Sequence, residues 1–269
     1  MLYEHPAWQT IPDQTMRPGG LTVTARALAF CDLPPGSRVL DLGCGTGTTL
    51  HHLTTSCGWT AFGVDASVAL LTRAQWTSPR LSQAKSEHLP LASAAFDAVL
   101  SECTLSLFDT DRALAEVARV LKPGGYFIVS DLYARNPQGI DALRHLPPGS
   151  CIGSAMTQAE ITTHLAHHGF YLSVWQDCSE ELKTFSMCTL TTAAQIDPFD
   201  LVIASARAKL GYYFLIAKKI TSPRFLKFDP SLAPKVASQT LEFSETPLIG
   251  HPKFDLSLAQ ARPLQTSEV

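Results

Sequence analysis

The stretch RVLDLGCGTG, Arg38 to Gly47, constrains the fold of this chain more than any other. A short apolar strand ends in an acid, Asp41, and Gly43, Gly45 and Gly47 follow at alternate positions before a run able to continue as a helix. That order is the first half of a βαβ unit. Its glycines let backbone approach a ligand closely, and the helix that follows offers it unpaired N–H groups. A second acid, Asp65, ends the next apolar strand in AFGVDAS.

Spacing narrows the ligand. A dinucleotide fingerprint needs its third glycine at position 48, where this chain has Thr48. Asp41 would repel a diphosphate and attract an ammonium or sulfonium group. Asp65 is placed to accept both hydroxyls of a ribose. A nucleoside with a positively charged amino-acid tail fits both acids, and a nucleotide-binding Rossmann domain without transferase activity is the alternative.

Further along stand SEHLP before AFDAVLSE, and then RVLKPGGYFIVSDLY. With DLGCGTG and GVDAS, these motifs resemble, in order and spacing, the class I S-adenosylmethionine-dependent methyltransferases over residues 35–220. The similarity is to the small-molecule branch that includes quinone C-methyltransferases and arsenite methyltransferases. It implies an α/β, Rossmann-like seven-stranded mixed sheet with helices on both faces and the last two strands antiparallel. It also implies S-adenosylmethionine as cofactor, bound by Asp41, Gly43, Cys44, Gly45, Asp65, Ala66, Ser86, Glu87 and Glu102. In that family an acid and a backbone N–H clamp the adenine near SEHLP. Lys85 takes the usual acid position here, while Ser86 and Glu87 keep the frame. The family's segment before the first strand often folds over the methionine moiety, which adds Arg17, Gly19 and Thr22 as possible contacts.

Composition limits the partners. A formal net charge of −3, with no block of Lys and Arg, argues against a nucleic-acid surface. No signal pattern opens the chain and no apolar run reaches the length of a membrane span, so a soluble cytoplasmic protein acting on a small-molecule acceptor is expected, with no membrane partner and its oligomeric state open. The seven cysteines, Cys31, Cys44, Cys57, Cys103, Cys151, Cys178 and Cys188, form no CxxC pair, so neither structural zinc nor disulfides are expected.

Residues 1–34 read as a lead-in and capping helix (Leu21 to Cys31), 35–220 as the catalytic domain and 221–269 as an extended or disordered tail. Strands are expected at 38–42, 61–65, 95–102 and 126–130, with the final pair at 171–176 and 211–218. Helix signals lie at 46–56, at Ser67, at Asp109 to Lys122, at Thr157 with Glu160 as a capping box, and at Asp197-Pro198. Residues 136–149 read as a loop over the active site. His51 and His52 read as surface residues, and His164, His167 and His168 as cations suited to a helix C-terminus rather than a metal site.

Methyl transfer from a sulfonium needs alignment and exclusion of water more than a conspicuous catalytic residue. Where the acceptor must lose a proton, Asp131, Tyr133, His88 or His145 is a candidate base. SECTLSL and GSCIGSAMTQAEI resemble the two cysteine segments of arsenite methyltransferases, which would set Cys103 and Cys151 facing each other over the methyl group. Arsenite or thiol methylation is therefore an alternative, and a non-catalytic cofactor-binding protein is another.

Overall fold

The computed structural model describes residues 2–10, 15–74, 80–146, 149–185 and 196–221, so the expected tail lies, but for Thr221, outside the described residues. The strands are β1 (Arg38–Leu42), β2 (Thr60–Asp65), β3 (Leu81–Gln83), β4 (Phe96–Glu102), β5 (Leu121–Ala134), β6 (Met156–Thr157), β7 (Phe170–Asp177) and β8 (Leu210–Lys219). Seven of them lie in the order β3-β2-β1-β4-β5-β8-β7, and the two-residue β6 pairs with the end of β5. The strands from β3 to β5 along this path run parallel, and β8 runs antiparallel to both β5 and β7. This is the mixed sheet implied by the motifs.

Alternation along the strands builds a core on each face. Val39, Ala98, Leu100, Ile128, Phe214 and Ile216 point into one. Leu40, Leu42, Val99, Phe127, Val129 and Leu215 point into the other. Helices α1 (Gly20–Leu28) and α2 (Thr48–Thr55) cover the first face with Val23, Leu28, Leu50 and Leu53. After α3 (Val68–Thr72), helix α4 (Thr110–Val120) covers the second with Leu114 and Val117. Each such side chain contributes roughly 1.5–3 kcal/mol on leaving water.

Helix starts follow local chemistry. Ser67 Oγ accepts the Leu70 N–H, and Asp109 accepts that of Arg112. After α5 (Ile140–Arg144), helix α6 (Gln158–His167) opens on the Thr157–Glu160 capping box. Beyond α7 (Glu181–Thr184), α8 (Pro198–Ala208) opens on Asp197, whose side chain accepts from Phe199 and Asp200.

Three expectations are corrected. Strand β5 begins at Leu121, before Lys122-Pro123-Gly124, because Leu121 already has extended backbone and pairs with Phe96. Residues 136–146 are not an open loop: the Asn136 N–H donates to the Ala208 carbonyl, Gly139 packs directly on the backbone of Arg207, and Leu143 of α5 is fully buried. His52 is half-buried with its Nε2 enclosed, and burial holds its pKa below the ordinary value. Among the described residues, no helix is long and apolar enough to cross a membrane.

Candidate active site

From β1 the chain crosses to β2 and β3 on one side, then returns to place β4 on the other, so a crevice opens at the carboxyl ends of β1 and β4. A cavity of about 370 Å³ occupies it. Gly43, Cys44 and Gly45 line it from the turn, Asp65 and Ala66 from the end of β2, Ser86 and Glu87 from the loop after β3, and Glu102 and Cys103 from the end of β4. Residues distant in sequence but expected at one ligand thus share one wall. Asp41 is the exception, buried behind it at 3% exposure.

The turn is held open by backbone geometry. Gly43 has φ 82°, and a Cβ there would lie 2.4 Å from Thr104 Cγ2. Thr104 cannot easily withdraw, because its hydroxyl donates to the Leu42 carbonyl at 2.9 Å. Asp65 is fixed by the N–H groups of Gly45 and Ser67, each 2.8 Å from one of its carboxylate oxygens.

A buried charge cluster forms one side of the cavity. Arg17 Nη2 lies 2.9 Å from Glu102 Oε2 and also donates to Thr24 and Thr49. Both threonine hydroxyls donate to the Glu102 carboxylate, at 2.6 and 2.9 Å. All three of these donor contacts of Arg17 use Nη2, and its Nε is buried without a partner among the described residues. The Asp41 carboxyl takes no hydrogen bond from a described side chain or backbone group. Burial first, then the charges of Glu102 and Asp65, push its pKa up to about 8, against the opposing pull of Arg17.

A second, smaller space adjoins the first and shares Tyr3, Met16 and Cys103 with it. Trp8, Pro18, Leu132, Cys151, Leu182 and Phe185 complete its lining, so it brings both candidate cysteines together. The Cys151 N–H donates to the Tyr3 hydroxyl at 3.3 Å, and the Cys103 thiol faces the Tyr212 hydroxyl at 3.9 Å. Cys103 has φ 54°, a left-handed conformation that is strained for a residue with a Cβ, and its N–H is tied to the Ser130 carbonyl at 2.7 Å. Burial raises both thiols, Cys151 to about 12 and Cys103 well above its ordinary value, so both are protonated at neutral pH.

The candidate bases line neither space. Asp131 is buried and accepts from the Ser106 N–H at 3.0 Å, the Ser106 hydroxyl at 3.1 Å and the Leu132 N–H at 2.7 Å, so it anchors the turn after β4. Desolvation raises it to about 6. Tyr133 donates to Asp177 on the far face, His88 lies exposed against Arg112, and His145 ends α5 in solvent. His164 and His168 both reach Asp111 of α4, at 2.8 and 3.0 Å, which ties the end of α6 to the start of α4. Among the described residues, no group of three or more side chains is arranged to hold a metal.

Sequence reasoning missed Tyr3, Glu4 and Met16. Tyr3 and Met16 line both spaces, with Met16 Cε 3.2 Å from where a Cβ on Gly45 would stand. Glu4 accepts from the Ser67 hydroxyl at 2.7 Å, and its carbonyl accepts from Arg73 at 3.0 Å. Only the neighbouring RPGG motif hinted that this lead-in reaches the site.

Residues 40–129 match a family model described as a methyltransferase domain. A methyltransferase of Bacillus subtilis, YodH, described as uncharacterized, is 36% identical over 129 residues, covering 45% of this chain and 54% of that one. An arsenite methyltransferase of Aquipseudomonas alcaligenes is 31% identical over 190 residues, 61% of this chain and 53% of that one. The chain thus spans about half the length of these two curated relatives. Among solved structures, a geranyl diphosphate methyltransferase in complex with S-adenosylmethionine superposes with TM-score 0.62 at 15% identity, covering 75% of this chain and 86% of that one. The [4+2]-cyclase SpnF superposes with TM-score 0.60 at 23% identity, covering 77% and 84%.

Proposed function

We propose that this chain, whose fold and ordered motifs are those of the class I S-adenosylmethionine-dependent methyltransferases, binds S-adenosylmethionine in the 370 Å³ cavity and methylates a small-molecule acceptor entering past Tyr3 and Cys103. The observation that carries this reading is the shared wall of Gly43, Gly45, Asp65 and Glu102, drawn from three strand ends onto one cavity. The fit is supported by the cradle at Gly43, which a side chain would fill, and by the incompletely satisfied guanidinium of Arg17.

Bound there, the cofactor would supply a methyl carbon already activated by its sulfonium, so no covalent help from the protein is needed. Asp65 accepts the ribose hydroxyls while keeping its bonds to Gly45 and Ser67. Gly43 and Gly45 would make room for the amino-acid tail, and the guanidinium of Arg17, which lines the cavity, would suit its carboxylate. Ser86 and Glu87 border the adenine end. Glu102, with Asp41 behind it, favours positive charge at the transferring end. Tyr3 and Met16 exclude water between donor and acceptor. Asp131 acts as a positioning group through Ser106 rather than by touching the acceptor.

Titration calorimetry with S-adenosylmethionine, together with transfer of a labelled methyl group to a panel of small acceptors, tests this. Asp65→Ala is expected to weaken cofactor binding at least ~10-fold, since it removes charge-assisted hydrogen bonds. Wild-type affinity retained in that variant would refute the site.

A second reading, arsenite or thiol methylation, is favoured by the convergence of Cys103 and Cys151 on one small space beside Trp8. Soft thiolates suit a soft centre, at the expense of removing two protons held by burial. Arsenite is then expected to quench Trp fluorescence, with the quenching lost in Cys103→Ser and Cys151→Ser. Quenching unchanged in both variants would exclude this reading. Since a fold does not by itself fix function, binding of the cofactor without turnover on any acceptor would favour a third reading, a non-catalytic role.

A further inference from the structure

We propose that binding of a sulfonium cofactor in this cavity drives a proton off the buried carboxyl group of Asp41, so that cofactor affinity rises with pH through the neutral range. The inference rests on the cofactor reading above and adds its proton balance.

The geometry is a buried cluster with too few cations. Asp41 stands between the strand ends that carry Asp65 and Glu102, and among the described residues one guanidinium, that of Arg17, paired with Glu102, offsets these acids. Glu102 receives the ion pair and both threonine hydroxyls, and Asp65 receives two backbone N–H groups. The Asp41 carboxyl receives no hydrogen bond from the described residues, although β1 carries its backbone between Gly63 of β2 and Leu100 of β4 in the middle of the sheet. Its other titratable neighbours add no positive charge. The Cys44 thiol is pushed up by burial and by Asp41 and Asp65. Next to Arg17 and Glu102 lie His52 of α2, held down by burial, and Tyr212 of β8, held up by it. A carboxyl group so placed keeps its proton, in line with its value of about 8.

A positively charged ligand arriving against Gly43 and Glu102 reverses that balance. An opposite charge within a few ångström typically lowers a carboxyl pKa by roughly 1–3. The Asp41 O–H bond then breaks, its electron pair stays on the carboxylate, and the proton passes to the buffer. Release on binding means that affinity climbs with pH until the free protein has already lost the proton.

The test is titration calorimetry of the full chain with S-adenosylmethionine, in buffers of differing ionisation enthalpy. At pH 7 we expect roughly 0.4 to 0.9 proton released per cofactor bound, falling towards none by about pH 9.5, with affinity dropping about two- to eightfold from pH 7 to pH 6. In Asp41→Asn, cofactor is expected to bind with no such release. Glu102→Gln, which removes one like charge, should move the midpoint of the pH dependence lower. S-adenosylhomocysteine, which lacks the sulfonium, should release fewer protons. An infrared C=O band of a protonated carboxyl group, lost on adding S-adenosylmethionine and missing from Asp41→Asn, would support the proposal independently. Tight binding with no proton release at pH 7, or release unchanged in Asp41→Asn, overturns it while leaving the cofactor site standing. No binding of either nucleoside at any pH overturns the cofactor reading itself.

Discussion

Arg17 and Glu102 form an ion pair of 2.9 Å with both side chains more than nine-tenths buried, joining the segment before α1 to the end of β4. The pair closes one side of the cavity and makes the lead-in part of the site.

Removing one member should therefore cost more than removing both. Arg17→Met leaves a buried, unpaired Glu102 and is expected to cost about 3–5 kcal/mol in denaturant unfolding. The double variant Arg17→Met/Glu102→Leu should recover a large part of that loss. If the single and double variants are equally destabilised, the pair is not the reason Arg17 is buried.

Two glycines separate backbone strain from steric crowding. Gly36 and Gly43 both have φ 82°, but a Cβ on Gly36 meets nothing within 4 Å, whereas on Gly43 it meets Thr104 at 2.4 Å. Gly36→Ala should cost about 1 kcal/mol, the left-handed penalty alone. Gly43→Ala should cost more and also lose cofactor affinity, measured by thermal unfolding and calorimetry side by side.

Stability should decline as pH rises from about 4 to 8. Folding raises Asp41 from 3.8 to about 8 and Asp131 from 3.8 to about 6, so the folded chain holds protons that the unfolded chain has lost. Their contribution is full below the unfolded value and disappears as pH passes through the folded one, a loss on the order of a few kcal/mol. Unfolding midpoints at pH 5, 7 and 9 check this, and Asp41→Asn should flatten the upper part of the curve.

The native thiols should resist alkylation. Burial holds Cys103 and Cys151 protonated and out of solvent, so iodoacetamide at pH 7.5 is expected to label them only after unfolding. Peptide mapping by mass spectrometry reads this directly. Rapid labelling of Cys103 in the folded chain would show that the smaller space opens to solvent.

What the chain encodes locally is legible in its order of residues. The strand, acid and alternate glycines of Arg38 to Gly47, the caps at Ser67, Asp109, Thr157 and Asp197, and the strand ends at Asp65 and Glu102 depend on neighbours within a few residues, so spacing alone reveals them. Tertiary structure alone decided that Arg17 meets Glu102, that Tyr3 lies against Cys151, that Asp131 serves Ser106, and that residues 136–146 dock on α8. Those partners lie far apart in sequence or depend on which face of the sheet is covered. Protonation belongs to the same class: the charge of Asp41 depends on its burial and on the ratio of acids to cations around it, and both arise only when the elements pack.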